Sequence, residues 1–363
     1  MTKEETISRS QLLTLIVMTQ IGISALSLTH ALAEVSGSDS WIAALLAGVT
    51  IQAGIVLIWW LGKRYPARHF FCNIHSIVGK PIGSVLNVLY GCFYILTSLV
   101  ITISYTDILC RWVLLRTPWW LVLLMLFLIC SYAATSSLRR IANVSQAFTI
   151  ILVICYLMIC FGGSRHWDIR NLLPILSGGS YPILKGMVVA YSAYFGYDLL
   201  LYAYPYVESR SSKKILLTMT YANALSILFY VTVSLVSTLS FSNSQLVFIP
   251  EPIVFILKQY QTKVLQSLDL LFIIMYISIT SVTIIVYLFM AAKAFLHVNG
   301  TSKGKHTVWV WIATGIGYSA GCYVWEKQWI KQTTQMLHQL CFVFMVIIPF
   351  LLLCISAMRG RRQ

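Results

Sequence analysis

Charge is scarce in this chain: only 10% of its 363 residues are Asp, Glu, Lys or Arg, and just 11 of them are acidic. A water-facing globular surface needs roughly 25% charged residues, so a soluble protein is excluded and an integral membrane protein is expected. Catalytic signatures are missing too. Seven histidines are scattered, mostly in loops (His69, His75, His166, His297, His306), and no HExxH, GxSxG or P-loop pattern occurs, which argues against an enzyme. The nine cysteines (Cys72, Cys92, Cys110, Cys130, Cys155, Cys160, Cys322, Cys341, Cys354) form no CxxC pair and have no histidine at ligand spacing. They read as small buried hydrophobes, so no disulfide, metal or cofactor is expected.

What the chain has in abundance is apolar sequence, 58% of all residues. At about 20 residues per span, that allows on the order of ten transmembrane helices and leaves no room for a soluble domain. Ten apolar runs fall at about residues 11–35, 41–61, 82–105, 119–134, 141–162, 183–204, 215–239, 268–296, 308–324 and 336–358. The breaks carry turn and charge signals: Gly62 to Pro66, Thr117-Pro118, Arg139-Arg140, Arg210 with Lys213-Lys214, and Asn299-Gly300. The expected organisation is a single integral membrane domain over residues 1–363, with five-helix halves at 11–162 and 183–358.

The formal charge of +15 sits in short loops between these runs, so it reports topology and not a nucleic-acid partner. With the N-terminus inside, inner segments hold 17 Lys and Arg residues and outer loops hold nine. Both termini are therefore expected in the cytoplasm. Arg359, Arg361 and Arg362 then mark a cytoplasmic end, where anionic membrane lipid could also bind. Lys3 and Arg9 before an apolar stretch, with Ala31-Leu32-Ala33 after it, imitate a signal peptide, but Glu4, Glu5 and a long, polar-interrupted run favour a first span. Two longer loops, 164–179 and 240–266, lie outside, and residues 253–260 of the second are expected as a short helix at the interface.

Spans one and six each carry a glycine inside an otherwise continuous run, Gly22 and Gly196. Glycine costs about 1 kcal/mol relative to alanine in a helix interior, and both have polar neighbours able to bond freed backbone groups. Gly48, Gly54 and Gly91 are expected to serve close packing instead. Each broken span opens a block of five, and an odd block must repeat in inverted orientation. Interrupted helices at matching positions of inverted repeats mark a midplane site in LeuT-type transporters.

Asp198, two residues past Gly196, is the most informative side chain. An aspartate deep in a span costs about 2.5–3.5 kcal/mol on insertion scales, so it meets a ligand or gate, carries a proton, or sits near enough to the interface for solvation. Asp107 with Arg111 reads as a surface i,i+4 pair, Glu251 between Pro250 and Pro252 as a turn, and Asp269 as interfacial. Spans three and eight offer Thr97, Ser98 and Thr102, then Ser278, Thr280, Ser281 and Thr283, although such hydroxyls most often bond their own backbone. Among the aromatics of span six, Tyr202 and Tyr204 are expected in the interfacial belt.

The sequence resembles the spore germination permease family, the GerAB-like B subunits of nutrient germinant receptors. The likeness runs over nearly the whole chain: residues 20–28 (Gln20 to Leu28) in span one, 41–48 in span two, Tyr65-Pro66, Val78-Gly79-Lys80, Leu115-Arg116-Thr117-Pro118, Asn171-Leu172-Leu173-Pro174, and Phe195-Gly196-Tyr197-Asp198 followed by Pro205 and Lys213-Lys214. It departs where the family usually has glycine, proline and glutamate and this chain has Ser24, Thr29 and Asp198. The resemblance implies the amino-acid–polyamine–organocation superfamily and an all-α, LeuT-like five-plus-five inverted repeat with broken helices one and six. It also implies a bacterial inner or spore membrane, and A-type and C-type receptor subunits as partners.

The expected ligand site combines Gly22, Ile23, Ser24, Ala25, Thr97, Ser98, Tyr194, Phe195, Gly196, Asp198, Ser281 and Thr283. Amides near Gly22 would face the carboxylate of a small nutrient such as an amino acid, and Asp198 or nearby carbonyls its ammonium. An ion-coupled amino-acid transporter and a non-binding scaffold use the same fold. The topology is directly testable: in a background without the native cysteines, Ser38→Cys in the first outer loop, which has no Lys or Arg, should react with a membrane-impermeant maleimide from outside, and Arg361→Cys should not. The reverse pattern would invert the assigned orientation.

Overall fold

The computed structural model describes residues 6–164, 167–176, 178–208, 211–259, 267–299 and 305–358. Arg359, Arg361 and Arg362, along with Lys3, Glu4, Glu5, His166, Arg210, Tyr260 and Gly300, lie outside the described residues. Among those described, the fold is helical, with one isolated parallel bridge between Ile7 and Val207. Six helical stretches are long and apolar enough to cross a membrane, one of them (Ser24–Arg64) holding two consecutive helices, and Trp119–Ala134 is a shorter apolar helix.

Span one is two helices, α1 (Arg9–Gln20) and α2 (Ser24–Ser36). Ser8 starts α1 through a capping box in which its hydroxyl accepts the Gln11 amide and its own amide donates to the Gln11 side chain. Span two is α3 (Ser40–Arg64), followed by the short amphipathic α4 (Phe70–Val78). Spans three, four and five are α5 (Lys80–Trp112), α6 (Trp119–Ala134) and α7 (Leu138–Gly163). Span six is α8 (Ser180–Tyr191), tight turns at Ser192–Tyr194 and Tyr197–Leu199, and the single-turn α9 (Leu200–Ala203).

Span seven is α10 (Ser212–Ser240), and a hairpin after it holds α11 (Asn243–Leu246) and α12 (Pro252–Gln259). Spans eight and nine are α13 (Leu268–Leu296) and α14 (His306–Val324). Span ten runs from α15 (Lys327–Phe342) through a π-helical turn (Val343–Ile347) into α16 (Ile348–Met358). Pro349 lacks the amide that would continue regular bonding there, which accounts for the wide turn just before it.

The two strongest packings join spans of equal rank in the two sets of five, α5 with α13 and α3 with α10, and α6 also meets α14. The broken spans also meet, through α2 with α8 and α1 with the turn at Tyr197–Leu199. Glycines on α3 make its approach to span six possible. A Cβ at Gly54 would lie 2.7 Å from the Tyr197 hydroxyl oxygen, and one at Gly62 2.6 Å from the Tyr204 ring. Outward-facing side chains such as Ile129, Ile150, Val188 and Leu228 are large and apolar, as a lipid-facing surface requires.

Five expectations are corrected. The helix α12, expected at the interface, is packed inside, with Ile253, Val254, Ile256 and Leu257 buried against α13, α7 and α2, because its apolar residues find protein on several sides. Glu251 is buried and accepts two bonds from the Arg111 guanidinium, at 2.6 and 3.1 Å, and one from the Trp112 ring nitrogen at 3.3 Å. Arg111 therefore joins Asp107 on its own helix to the distant hairpin, beyond a simple surface pair. Asp269 is buried, and Tyr202 and Tyr204 pack in the core because span six is enclosed by α3, α4 and α13.

Removing the Glu251 carboxylate would leave Arg111 and Trp112 without their shared acceptor. Glu251→Ala should cost about 1–3 kcal/mol, read as a lower thermal midpoint in detergent. Asp107→Ala, at a more exposed pair, should cost under about 1 kcal/mol.

Candidate functional site

The two glycine breaks lie against each other. Gly196 takes φ +120°, and a Cβ there would come within 2.8 Å of the Thr19 carbonyl carbon and 2.9 Å of the Gln20 nitrogen. Only glycine suits both that backbone conformation and that approach. Span one stops at Gln20 and resumes at Ser24, with Ala25 and Leu26 bonded in tight turns to the carbonyls of Gly22 and Ile23. A Cβ at Gly22 would touch the Thr283 hydroxyl at 3.2 Å, so this break sits on span eight.

Breaking a helix frees carbonyls that a membrane interior cannot solvate. Side chains from spans seven and eight take them up. The Tyr230 hydroxyl lies 2.8 Å from the carbonyls of both Gln20 and Ala193, one at each break, and can donate to one at a time. The Gln20 amide donates to the Tyr194 carbonyl at 3.0 Å, and its oxygen accepts from Ser226 at 2.8 Å. Tyr276 donates to the Gly22 carbonyl at 2.9 Å, and Thr283 to that of Met18 at 3.2 Å. Tyr276, Thr280, Thr283 and Tyr287 thus form one stripe on α13 at helical spacing, in which the Thr280 hydroxyl is buried without a partner.

Asp198 is 1% exposed, and neither carboxylate oxygen has a hydrogen-bond partner of good geometry. The phenols of Tyr90, Tyr94 and Tyr287 and the thiol of Cys341 lie close enough to interact with its charge. The carboxyl is enclosed by protein in this arrangement. On the other strand of the site, α2 begins at Ile23 with no side-chain cap, and Ile23 and Ser24 are only half-buried. The Ala25 and Leu26 amides bond back to Gly22 and Ile23, and the helix start keeps the partial positive charge of its dipole.

The structure brings Gly22, Ile23, Ser24, Ala25, Tyr194, Phe195, Gly196 and Thr283 to the meeting of the breaks, with Asp198 two residues beyond Gly196. Tyr194 is fully buried, its hydroxyl donating to the Ala44 carbonyl of α3 at 2.8 Å, and Phe195 packs edge-on against Tyr191. Thr97 and Ser98 are buried but spend their hydroxyls on their own helix, bonding the carbonyls of Phe93 and Ile95. Ser281 is half-buried, and its carbonyl faces Cys130 of span four. The sequence reading missed Gln20, Ser226, Tyr230, Tyr276 and Tyr287. A mid-span glutamine was a usable signal; the tyrosines looked like any other membrane aromatics.

Comparison with known proteins gives a consistent picture. The profile of the Spore_permease family, described as spore germination protein, matches residues 6–323. Spore germination protein GerQB of Bacillus cereus is 26% identical over 64% of this chain and 63% of its own length. YndE of Bacillus subtilis (strain 168) is 27% identical over 50% of each, so the matched region spans only half to two thirds of these two relatives. Spore germination protein A2 of the same strain is 22% identical over 96% of this chain and 95% of its own. Among solved structures, MhsT in complex with L-phenylalanine superposes with a TM-score of 0.70 at 12% identity, covering 97% of this chain and 89% of that one. A substrate-bound, outward-open Na+-coupled sialic acid symporter gives 0.68 at 12% identity, covering 94% and 78%. These likenesses show the fold, which is LeuT-like, and the chain is an integral membrane protein.

The bonding at the breaks generates its own test. Tyr230→Phe leaves a buried carbonyl unbonded and should cost about 1–3 kcal/mol, whereas Tyr156→Phe, whose hydroxyl meets Thr232 in a half-buried place, should cost less than about 1 kcal/mol. Gly196→Ala adds backbone strain of about 1–3 kcal/mol to a steric clash. Thermal midpoints of the three purified variants decide the order.

Proposed function

We propose that this chain, which belongs to the spore germination protein family, is the ligand-sensing membrane subunit of a germinant receptor and binds a small nutrient, an amino acid, where its two broken helices meet. The observation that carries the reading is the pairing of an uncapped helix start at Ile23–Ser24 with a buried carboxyl at Asp198 that has phenols and a thiol around it and no cation among the described residues, across adjoining breaks. The first suits a carboxylate and the second an ammonium, the two ends of an amino acid. Thr283 and Tyr276 of span eight border the first break and limit the ligand's size.

A sensor must bind its ligand more tightly in one arrangement than in another. The tyrosine that reaches both breaks supplies a discrete choice of partner, so occupancy would favour one arrangement of spans one and six, which A-type and C-type partner subunits then read. A second reading, ion-coupled amino-acid transport, draws support from the likeness to MhsT and the sialic acid symporter.

Binding of an amino-acid panel to the purified chain, and to the chain assembled with its partner subunits, tests the proposal. One compound should bind saturably, with affinity at least tenfold weaker in Ser24→Leu and in Asp198→Asn while their thermal midpoints stay near that of the parent. Uptake into proteoliposomes driven by an ion gradient would transfer the reading to transport. Absence of binding by chain and assembly alike would overturn it and leave a scaffold.

A further inference from the structure

Away from the breaks, at the end of the bundle where the chain starts, three metal-ligating side chains converge. His69 is the N-cap of α4, and Cys72 lies three residues on, in its first turn. This spacing places the Cys72 sulfur 3.5 Å from His69 Nε2. His297, just past the end of α13, meets His69 edge to face with ring centroids 4.4 Å apart. Ligand atoms of all three lie within 4.8 Å of one another.

One of those distances matches an edge of a tetrahedral site, and the others lie near it. With Zn–S of about 2.3 Å and Zn–N of about 2.0–2.1 Å, tetrahedral angles put sulfur about 3.6 Å from nitrogen and two nitrogens about 3.4 Å apart. The Cys72–His69 edge already has that length, and His297 needs to close by little more than about an ångström on the same geometry.

The surroundings prepare the ligands as well. The Nδ1 of His297 lies 2.8 Å from the Lys293 carbonyl and so carries the proton, leaving Nε2 its lone pair. The His297 carbonyl accepts from His75 Nε2 at 2.9 Å and from the Asn87 amide at 3.0 Å, which fixes the backbone behind the ring. Such outer bonds orient metal-bound histidines. His69 is 7% exposed, yet its Nδ1 is buried with no partner. The nitrogen facing the Cys72 sulfur is the other one, Nε2, which is the ring atom placed to ligate.

We infer that His69, Cys72 and His297 form a binding site for a borderline-soft divalent metal ion of the zinc class, with water as the fourth ligand. Two imidazoles and a thiolate select such an ion over calcium or magnesium. On entry the Cys72 thiol gives its proton to water, and the thiolate's negative charge meets the ion's positive charge. Lys293 is the nearby positive charge, and its ammonium is held 5.0 Å over the Phe289 ring and 5.3 Å over that of Tyr202. His69 also lies against Tyr202 of span six, with centroids 4.9 Å apart. A bound ion therefore ties the connection between spans two and three to the end of span eight, beside the second half of broken span six. This site is independent of the nutrient reading.

Cobalt(II) titration of the purified full chain tests it. The expected result is saturation at one ion per chain, with the visible bands of tetrahedral cobalt, a thiolate-to-cobalt charge-transfer band, and displacement of both by zinc. Cys72→Ser should abolish the charge-transfer band, His297→Ala should weaken binding at least tenfold, and Cys92→Ser, altering an exposed cysteine elsewhere, should change neither. Zinc should raise the thermal midpoint of the parent and not that of Cys72→Ser, whose metal-free midpoint serves as the folding control. A missing charge-transfer band, or one that survives in Cys72→Ser, would overturn the assignment.

Discussion

A phenol that reaches two broken helices at once is the constraint on which this architecture turns. The Tyr230 hydroxyl lies within bonding distance of the Gln20 and Ala193 carbonyls, and Gln20 crosses to bond the backbone of Tyr194. In the hydrocarbon of a membrane a free carbonyl costs several kcal/mol. Irregular backbone at that depth therefore persists only where protein side chains surround it, and spans seven and eight provide them.

The rest of the bundle follows from enclosing the breaks. Spans two and three pack on seven and eight, span one packs against spans five, seven and eight, and span six against span two. Glycines on α3 let the aromatic face of span six approach closely, and Gly22 and Gly196 allow the breaks to meet side chain and backbone directly. At one end, the bonds joining Ile7 to Tyr206 and Glu208 hold the chain's start against the exit of span six. At the other, Arg111 and Glu251 fasten the hairpin that follows span seven. The broken helices are thus anchored at both ends while their centres depend on a few side-chain bonds, an arrangement suited to a ligand-dependent shift.

Much of this was legible in the sequence because a membrane restricts the choices. Long apolar runs must be helices, so the ten runs reappear as ten helical rods, and Gly22 and Gly196 mark real interruptions. Hydroxyls were less legible. Thr97 and Thr283 are both buried threonines in apolar helices, yet one bonds its own turn and the other a foreign carbonyl, depending only on which face a neighbour covers. Glu251 looked like part of a proline turn because its partner stands in span three. The His69–Cys72 pair carries no recognisable ligand spacing until His297 folds onto it.

By itself, then, the sequence determined the solvent in which the chain folds, the number and rough limits of its helices, and where two of them break. These are local properties, set by hydropathy and by backbone freedom residue by residue. Tertiary structure alone decided which carbonyl each tyrosine bonds, which acid is buried, and which histidine meets which cysteine. Those outcomes join residues remote along the chain, and they depend on helix rotations that an almost uniformly apolar surface does not encode.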